Sequence, residues 1–227
     1  MRLTARCFFA AIGMVPIALA APAGGQEIGS LIDRDRGQVG YLENVDSANS
    51  AQVIVTFARC FARQRERAAE AVLALPYMSA AQDAEARQMI GRYESCLGDN
   101  AVQLRFPPQL LIGGMAEHFV ARRYERVDIS RLTTMTDEAL ADAAFAGRNA
   151  YEALSLCTIR RDPAAARALI ATVPRSQEER AAIQRITPHL APCIPADFQM
   201  TFSRGALRAL IAIGVYRIVV ALDPAAS

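Results

Sequence analysis

The segment CTIRRDPAAARALIATVPRSQEERAAIQRITPHLAPC, from Cys157 to Cys193, has an earlier counterpart in CFARQRERAAEAVLALPYMSAAQDAEARQMIGRYESC, from Cys60 to Cys96. The two cysteines are 36 positions apart in both segments, and an offset of 97 residues superimposes the two pairs. At this offset Val72-Leu73-Ala74 aligns with Leu169-Ile170-Ala171, and after the second cysteine the alignment continues at an offset of 96. Self-similarity at a fixed period predicts an internal repeat.

Each half predicts four helices, because apolar residues recur at helical spacing between turn and capping signals. In the second half, Asp162-Pro163 places an N-cap acceptor before a proline at the first helical position, and Ser176-Gln177-Glu178-Glu179 is a capping box. The first half lacks the proline signal. In the first half, the expected helices are Ala51 to Ala62, a short second helix, a third from Ser79 and a fourth from Pro107 through Phe119. In the second half, they are Asn149 to Ile159, a second from Asp162, a third from Ser176 and a fourth from Ser203 through Tyr216.

The predicted fold class is therefore all-α, with two pseudo-repeated four-helix units and one disulfide in each. Repeat 1 is expected at residues 48–130 and repeat 2 at residues 131–222, packed together through their fourth helices. Thr136-Asp137-Glu138 is expected to cap an added helix through Ala146. Residues 24–47 show no clear period and residues 223–227 form a small-residue tail, so both are expected to be loose.

Residues 1–23 have the pattern of a secretory signal peptide. Arg2 and Arg6 precede an apolar run, and small residues allow cleavage after Ala23, which is favoured, or after Ala20. The alternative is an uncleaved anchor, but the run of apolar residues from 7 to 20 is shorter than the roughly 20 residues that span a bilayer. The sequence thus predicts a periplasmic or secreted protein with no membrane span after cleavage.

The charge balance argues against a nucleic-acid partner. The chain has 25 basic residues, all of them arginine, and 23 acidic residues. Loss of Arg2 and Arg6 would leave equal numbers and a formal net charge of zero, whereas nucleic-acid binding needs a basic surface. With 52% hydrophobic and 21% charged residues, the composition is typical of a folded globular chain.

Four cysteines remain after the leader, since Cys7 lies within it. They allow three pairings, and we favour Cys60 with Cys96 and Cys157 with Cys193, because only local pairing closes within a single ancestral copy. Such bridges would be structural. A redox pair or a metal site is the alternative, but the chain has no C-x-x-C motif and its two histidines lack metal-ligand spacing. We therefore expect no metal and no cofactor.

Sequence motifs in the second half also suggest a relationship to known proteins. They are Cys157-Thr158-Ile159-Arg160-Arg161-Asp162-Pro163, the Ala-Arg-Ala-Leu helix that follows, Cys193, and Phe202-Ser203-Arg204-Gly205-Ala206-Leu207. In these motifs the chain resembles an uncharacterised family of exported helical proteins from sphingomonad-type alphaproteobacteria, which has no known activity. The resemblance covers about residues 50–220 and implies helices and export, without catalytic residues. The first half departs from the pattern, with Arg65-Glu66 at the position of Asp162-Pro163.

Three residues are weak candidates for a functional site, namely Glu117, His118 and His189. An adjacent acid and imidazole suggest acid/base chemistry, but neighbours on a helix do not face each other, so an interhelical polar pair is the simpler interpretation. His189 is expected to lie at a helix end, where the helix dipole favours a cation.

Two further features concern the fourth helices. Gly113-Gly114 lacks the spacing of a phosphate-binding loop and is expected to permit close helix packing. The stretch from Leu207 to Leu222 is apolar but interrupted by Arg208 and Arg217 and, at 16 residues, too short for a membrane span. It predicts a core helix or a partner-binding helix.

No motif assigns a catalytic residue, so the sequence favours a non-catalytic binding or scaffolding protein whose protein or small-molecule partner it does not identify. The alternative is a periplasmic hydrolase with a site assembled from scattered polar residues. A deep cleft that converges on His118 or His189 would favour the enzyme.

Overall fold

The computed structural model describes residues 27–28, 48–92, 96, 106–141, 147–194 and 200–223. The first half contains α1 (Ala48–Gln64), α2 (Glu66–Ala74), α3 (Ala80–Arg92) and α4 (Pro108–Arg122). A 3-10 helix (Ile129–Thr133) and α5 (Asp137–Ala141) follow. The second half contains α6 (Ala150–Arg161), α7 (Pro163–Ala171), α8 (Gln177–Leu190), a 3-10 turn (Ala191–Cys193) and α9 (Arg204–Leu222). The protein is all-α, as the sequence predicts.

Helices α4 and α9 pack against each other at the centre of the molecule, as expected for the two fourth helices. Helix α4 also packs on α1, and α9 also packs on α6. Glycines allow this close approach: a Cβ atom built on Gly113 would lie 2.5 Å from the Cβ atom of Ala209, and one on Gly114 would lie 2.6 Å from that of Ala58. The prediction that these glycines permit helix packing is confirmed.

Both predicted disulfides are present. Cys60 is bonded to Cys96 and Cys157 to Cys193, with Cα–Cα distances of 5.6 and 5.8 Å. The first bridge ties α1 to the chain beyond α3, and the second ties α6 to the 3-10 turn beyond α8. Disulfides persist in oxidising compartments, so the two bridges indicate an oxidising environment for this chain.

Side-chain caps start the helices of the second half. Asp162 accepts a hydrogen bond from the Ala165 N–H at the start of α7, and Ser176 accepts one from the Glu179 N–H at the start of α8. The equivalent of Asp162 in the first half is Arg65, which makes no side-chain cap at the start of α2. Thr136 caps α5 as predicted, and the expected extension of that helix through Ala146 lies outside the described residues.

The turns that precede α3 and α8 have the same backbone geometry. Met78 and Arg175, which are 97 positions apart, have φ values of 61° and 67° and are the described non-glycine residues with positive φ. The Met78 N–H donates to Gln82 Oε1 at 3.1 Å, and the Arg175 N–H donates to Glu179 Oε2 at 2.8 Å. The internal repeat itself stays a prediction.

Helix α9 is longer than expected and lies in the core. It begins at Arg204, ends at Leu222 and has 19 residues, which is long and apolar enough to cross a membrane by length and composition. However, 72% of its most apolar window is buried inside the protein. Such burial is typical of a core helix.

The N-terminal region contributes one short strand. Glu27–Ile28 (β1) pairs in parallel with Thr201–Phe202 (β2), which immediately precedes α9. The predicted signal peptide at residues 1–23, the rest of the segment 24–47 and the tail beyond Asp223 lie outside the described residues.

Candidate functional site

A pocket of about 60 Å³ lies beside the α4–α9 contact, where four parts of the chain meet. This volume is several times the roughly 10–15 Å³ that one water molecule needs. Its walls are mainly aliphatic and come from α1, the first turns of α4 and α9, and the turn between α7 and α8. They include Ala51, Ile54, Val55, Pro107, Leu110, Gly113, Gly114, Pro174, Gly205, Ala206 and Ala209.

Four charged residues line this pocket, and three of them form what we call the Arg208 cluster: Arg208, Glu117 and Glu179. The fourth is Arg175. Arg208 Nε lies 2.6 Å from Glu117 Oε1 and its Nη2 lies 2.9 Å from Glu117 Oε2, a bidentate pair. Arg208 Nη1 lies 3.1 Å from Glu179 Oε1. The side chains of Arg208 and Glu117 are each 5% exposed and that of Glu179 is 2% exposed. The cluster therefore joins α4, α8 and α9 in the protein interior.

Arg208 also binds the carbonyl end of α7. Its guanidinium donates to the carbonyl oxygens of Leu169 at 3.2 Å, Ile170 at 3.1 Å and Thr172 at 2.8 Å, and to Thr172 Oγ1 at 2.9 Å. The last carbonyls of a helix have no partners within the helix and carry partial negative charge. Arg208 satisfies them with the same side chain that pairs with the two carboxylates.

A comparison with Gln82 explains why the guanidinium of Arg208 is needed at the carbonyl end of α7. Gln82 aligns with Glu179 at the offset of 97, and its amide donates to the carbonyl oxygens of Val72 at 3.1 Å and Leu75 at 3.4 Å. An ionised Glu179 accepts hydrogen bonds but cannot donate them. The corresponding carbonyls at the end of α7 therefore need another donor, and Arg208 supplies it.

The electrostatics of the Arg208 cluster follow from burial and from its charge count of two carboxyl groups and one guanidinium. Burial raises the pKa of Glu117 and the charge of Glu179 adds to the rise, while Arg208 and the more distant Arg59 oppose it; the net shift is upward. Burial lowers the pKa of Arg208, but the two carboxylates raise it by more. Arg208 therefore stays charged, and Glu117 takes up a proton more readily than an isolated glutamate does.

A third buried acid, Glu152 on α6, connects the two halves. Its carboxylate accepts hydrogen bonds from the Tyr77 N–H at 2.6 Å and from Arg148 Nε at 3.1 Å, and it forms an ion pair with Arg217, whose Nη1 lies 2.9 Å away. Arg217, on α9, also donates to the carbonyl oxygens of Leu73 and Leu75. These bonds fix the turn after α2 to α6 and α9.

The three candidate residues from the sequence lie in different places. Glu117 lines the pocket, whereas the neighbouring His118 and the distant His189 do not. His118 is half-buried, and its pKa is lowered by burial and by Arg122, Arg59 and Arg63. The side chain of His189 is 35% exposed, with Nε2 3.7 Å from Asp162 Oδ2.

The sequence interpretation missed Arg208 as a site residue and treated Glu179 only as part of a capping box. The signal was available: an arginine inside the otherwise apolar stretch from Leu207 to Leu222 must find an acid if it is buried. The position of that acid, on α4 and α8, depends on the tertiary fold. Among the described residues, no three His, Cys, Asp or Glu side chains are grouped to hold a metal ion.

No protein-family model matches this chain, and no curated protein and no solved structure is significantly similar to it.

Proposed function

We propose that the chain is a non-catalytic periplasmic or secreted binding protein, and that the pocket beside the Arg208 cluster holds a small aliphatic group of its ligand. The observation that carries the proposal is the lining of the pocket. Its walls are mainly aliphatic side chains and glycine backbone, with Gln109, Arg175 and Ser203 as further polar residues. The charged residues Arg208, Glu117 and Glu179 of its lining are bound to one another. Ligand sites typically combine apolar walls with a few polar groups.

The state of the two carboxyl groups supports binding rather than hydrolysis. A general base must be within hydrogen-bond reach of the proton that it removes. Both oxygens of Glu117 accept from Arg208, and the oxygens of Glu179 accept from Arg208 and from the Arg175 N–H. Neither His118 nor His189 lines the pocket, so the positions of the two histidines do not support the hydrolase alternative.

Export is the second part of the proposal. It is supported by the leader pattern at residues 1–23 and by the two disulfides, which would persist in the periplasm or outside the cell. In this view the disulfides hold α1 and α6 in place around the α4–α9 core, and the pocket is presented on a rigid support.

Native mass spectrometry of protein purified from its own periplasm or medium tests the function. We expect a co-purified small molecule on the wild type. Ala51→Leu should displace it, because Ala51 lines the pocket, and Gln52→Leu should not, because the neighbouring Gln52 is exposed on the same helix and does not line it. A bare wild-type chain, or a ligand that survives Ala51→Leu, would contradict the proposal.

A further inference from the structure

Helices α1 and α4 present a group of cations that the pocket does not use, which we call the basic patch: Arg59, Arg63, His118 and Arg122. Arg59 and Arg63 lie one turn apart on α1, and His118 and Arg122 lie one turn apart on α4, which packs on α1. The three arginines are exposed and His118 is half-buried. All three arginines act electrostatically on His118, so the four side chains share one surface.

The arginines of the basic patch differ from three other exposed arginines of the described chain. Arg87, Arg123 and Arg185 are also exposed, yet each pairs with a carboxylate. Within the described part of the chain, the side chains of Arg59, Arg63 and Arg122 make no hydrogen bond or salt bridge. Arg59 also acts at longer range on the buried Glu117. The patch therefore concentrates positive charge without a paired carboxylate among the described residues.

This arrangement has an electrostatic cost that a bound anion would remove. Like charges one turn apart on a helix are unfavourable, and the lowered pKa of His118 reports the combined effect of burial and the positive field of Arg122, Arg59 and Arg63. An anion among these side chains would reverse the sign of that field. It would also let the imidazole hold a proton and donate a hydrogen bond to the anion.

We propose that the basic patch binds the phosphate group of an anionic ligand. Guanidinium groups present planar pairs of donors that match phosphate oxygens. Three arginines are better neutralised by a phosphate dianion than by a single carboxylate, which would leave two positive charges. This site is separate from the pocket, because His118, Arg59, Arg63 and Arg122 do not line it.

The pKa of the His118 imidazole, measured by NMR, tests the proposal in the intact chain. His189 is the one other histidine and serves as an internal reference. Inorganic phosphate and vesicles that carry a phosphate-monoester lipid are titrated separately, each against sodium chloride at equal ionic strength. We expect phosphate to raise the pKa of His118 beyond the chloride control and to leave that of His189 unchanged. A response to soluble phosphate identifies a free ligand, and a response to vesicles alone identifies a lipid head group.

Arg63→Gln and Arg122→Gln should each weaken phosphate binding by roughly two- to fivefold, the range for an exposed charge pair. Arg180→Gln, an exposed arginine on α8, is the matched control and should leave binding unchanged. The proposal is overturned if neither form of phosphate shifts His118 beyond chloride, or if the two patch variants bind phosphate as tightly as Arg180→Gln.

Discussion

Arg208 brings a full positive charge into the core, where its side chain is 5% exposed. A buried charge is tolerated when it is paired and when its remaining donors are satisfied. Here Glu117, Glu179 and the carbonyl end of α7 provide the partners. The first half reaches the same local result with the neutral amide of Gln82. The carbonyl end of α7 is thus satisfied by the Arg208 cluster, and the carbonyl end of α2 is satisfied by Gln82.

Removal of Arg208 should be strongly destabilising. Arg208→Met leaves two buried carboxyl groups without their cation and the carbonyl oxygens of Leu169 and Thr172 without this donor. We expect the free energy of unfolding to fall by about 3–5 kcal/mol, the usual cost of breaking a buried ion pair. Urea denaturation followed by circular dichroism measures it.

A triple variant separates the pairing from the packing. Glu117→Ile, Glu179→Gln and Arg208→Ile together introduce the residues found at the aligned positions in the other half, which are Ile213, Gln82 and Ile112. Buried ion pairs can often be replaced by apolar groups at little cost, so the triple variant should regain most of the stability lost in Arg208→Met. If it is no more stable than Arg208→Met, charge pairing is not what holds this site together.

The raised pKa of Glu117 makes a prediction about pH. Because the folded pKa is above the unfolded value of about 4.3, this group favours folding below the unfolded pKa, and that contribution is lost as the pH rises through the folded pKa. Glu117→Gln removes the titration. The stability of the variant relative to wild type should therefore increase from about pH 4 to pH 7, as measured by urea denaturation across that range. A difference that falls with pH would show that the pKa is lowered instead.

The residues of the candidate site could be predicted only in part. Glu117 stands out in the sequence, but beside His118 it suggests an acid–base pair, and the structure turns the two side chains to different surroundings. Adjacent residues on a helix are about 100° apart, which excludes a shared site. The true partner, Arg208, is 91 positions away in the sequence, and no local pattern encodes that distance.

At the scale of elements, the α4–α9 contact depends on a missing side chain. A Cβ atom at Gly113 would lie 2.5 Å from the Cβ atom and 2.6 Å from the Cα atom of Ala209, so the opposing backbone would have to move. We expect Gly113→Ala to lower the free energy of unfolding by about 1–3 kcal/mol, the cost of overpacking. Thermal unfolding provides the measurement.

Gly91 is the matched control for this substitution. It lies on α3, and a Cβ atom there would meet nothing within 4 Å. Gly91→Ala should therefore stabilise the protein by up to about 1 kcal/mol, because alanine has the higher helix propensity. Equal effects of the two substitutions would refute the close-packing account of Gly113.

Helix starts were predicted better than helix ends. Asp162, Ser176 and Ser203 each accept a hydrogen bond in the first turn of the helix that they precede, and all three are evident in the sequence. Two ends differ by two residues, because α1 continues past the expected Ala62 to Gln64 and α6 continues past the expected Ile159 to Arg161. Helix α9 ends at Leu222, where the apolar stretch of the sequence ends. Arg217 does not end it, because the side chain bonds Glu152 and the turn after α2.

At the scale of the whole molecule, polar bonds of the described residues cross between the halves in several places. One is Arg167 on α7, which donates to the carbonyl oxygens of Tyr124 and Val127. The Arg208 cluster joins α4 to α8 and α9, and Glu152 joins the turn before α3 to α6 and α9. The equal cysteine spacings predicted the two disulfides, since each closes a local segment. The pocket could not be predicted, because its walls come from α1, α4, α9 and the α7–α8 turn, and their relative placement is a property of the tertiary packing.

The central claim is that this pocket holds an aliphatic group of a natural ligand. A high-resolution crystal structure of protein purified from its own periplasm or medium, without added small molecules, tests it most directly. We predict continuous electron density for an aliphatic group between Ala51 and Ala206, in contact with Gly113 and ending near Glu117. A pocket that contains only ordered water, or that is closed by its own side chains, would contradict the claim.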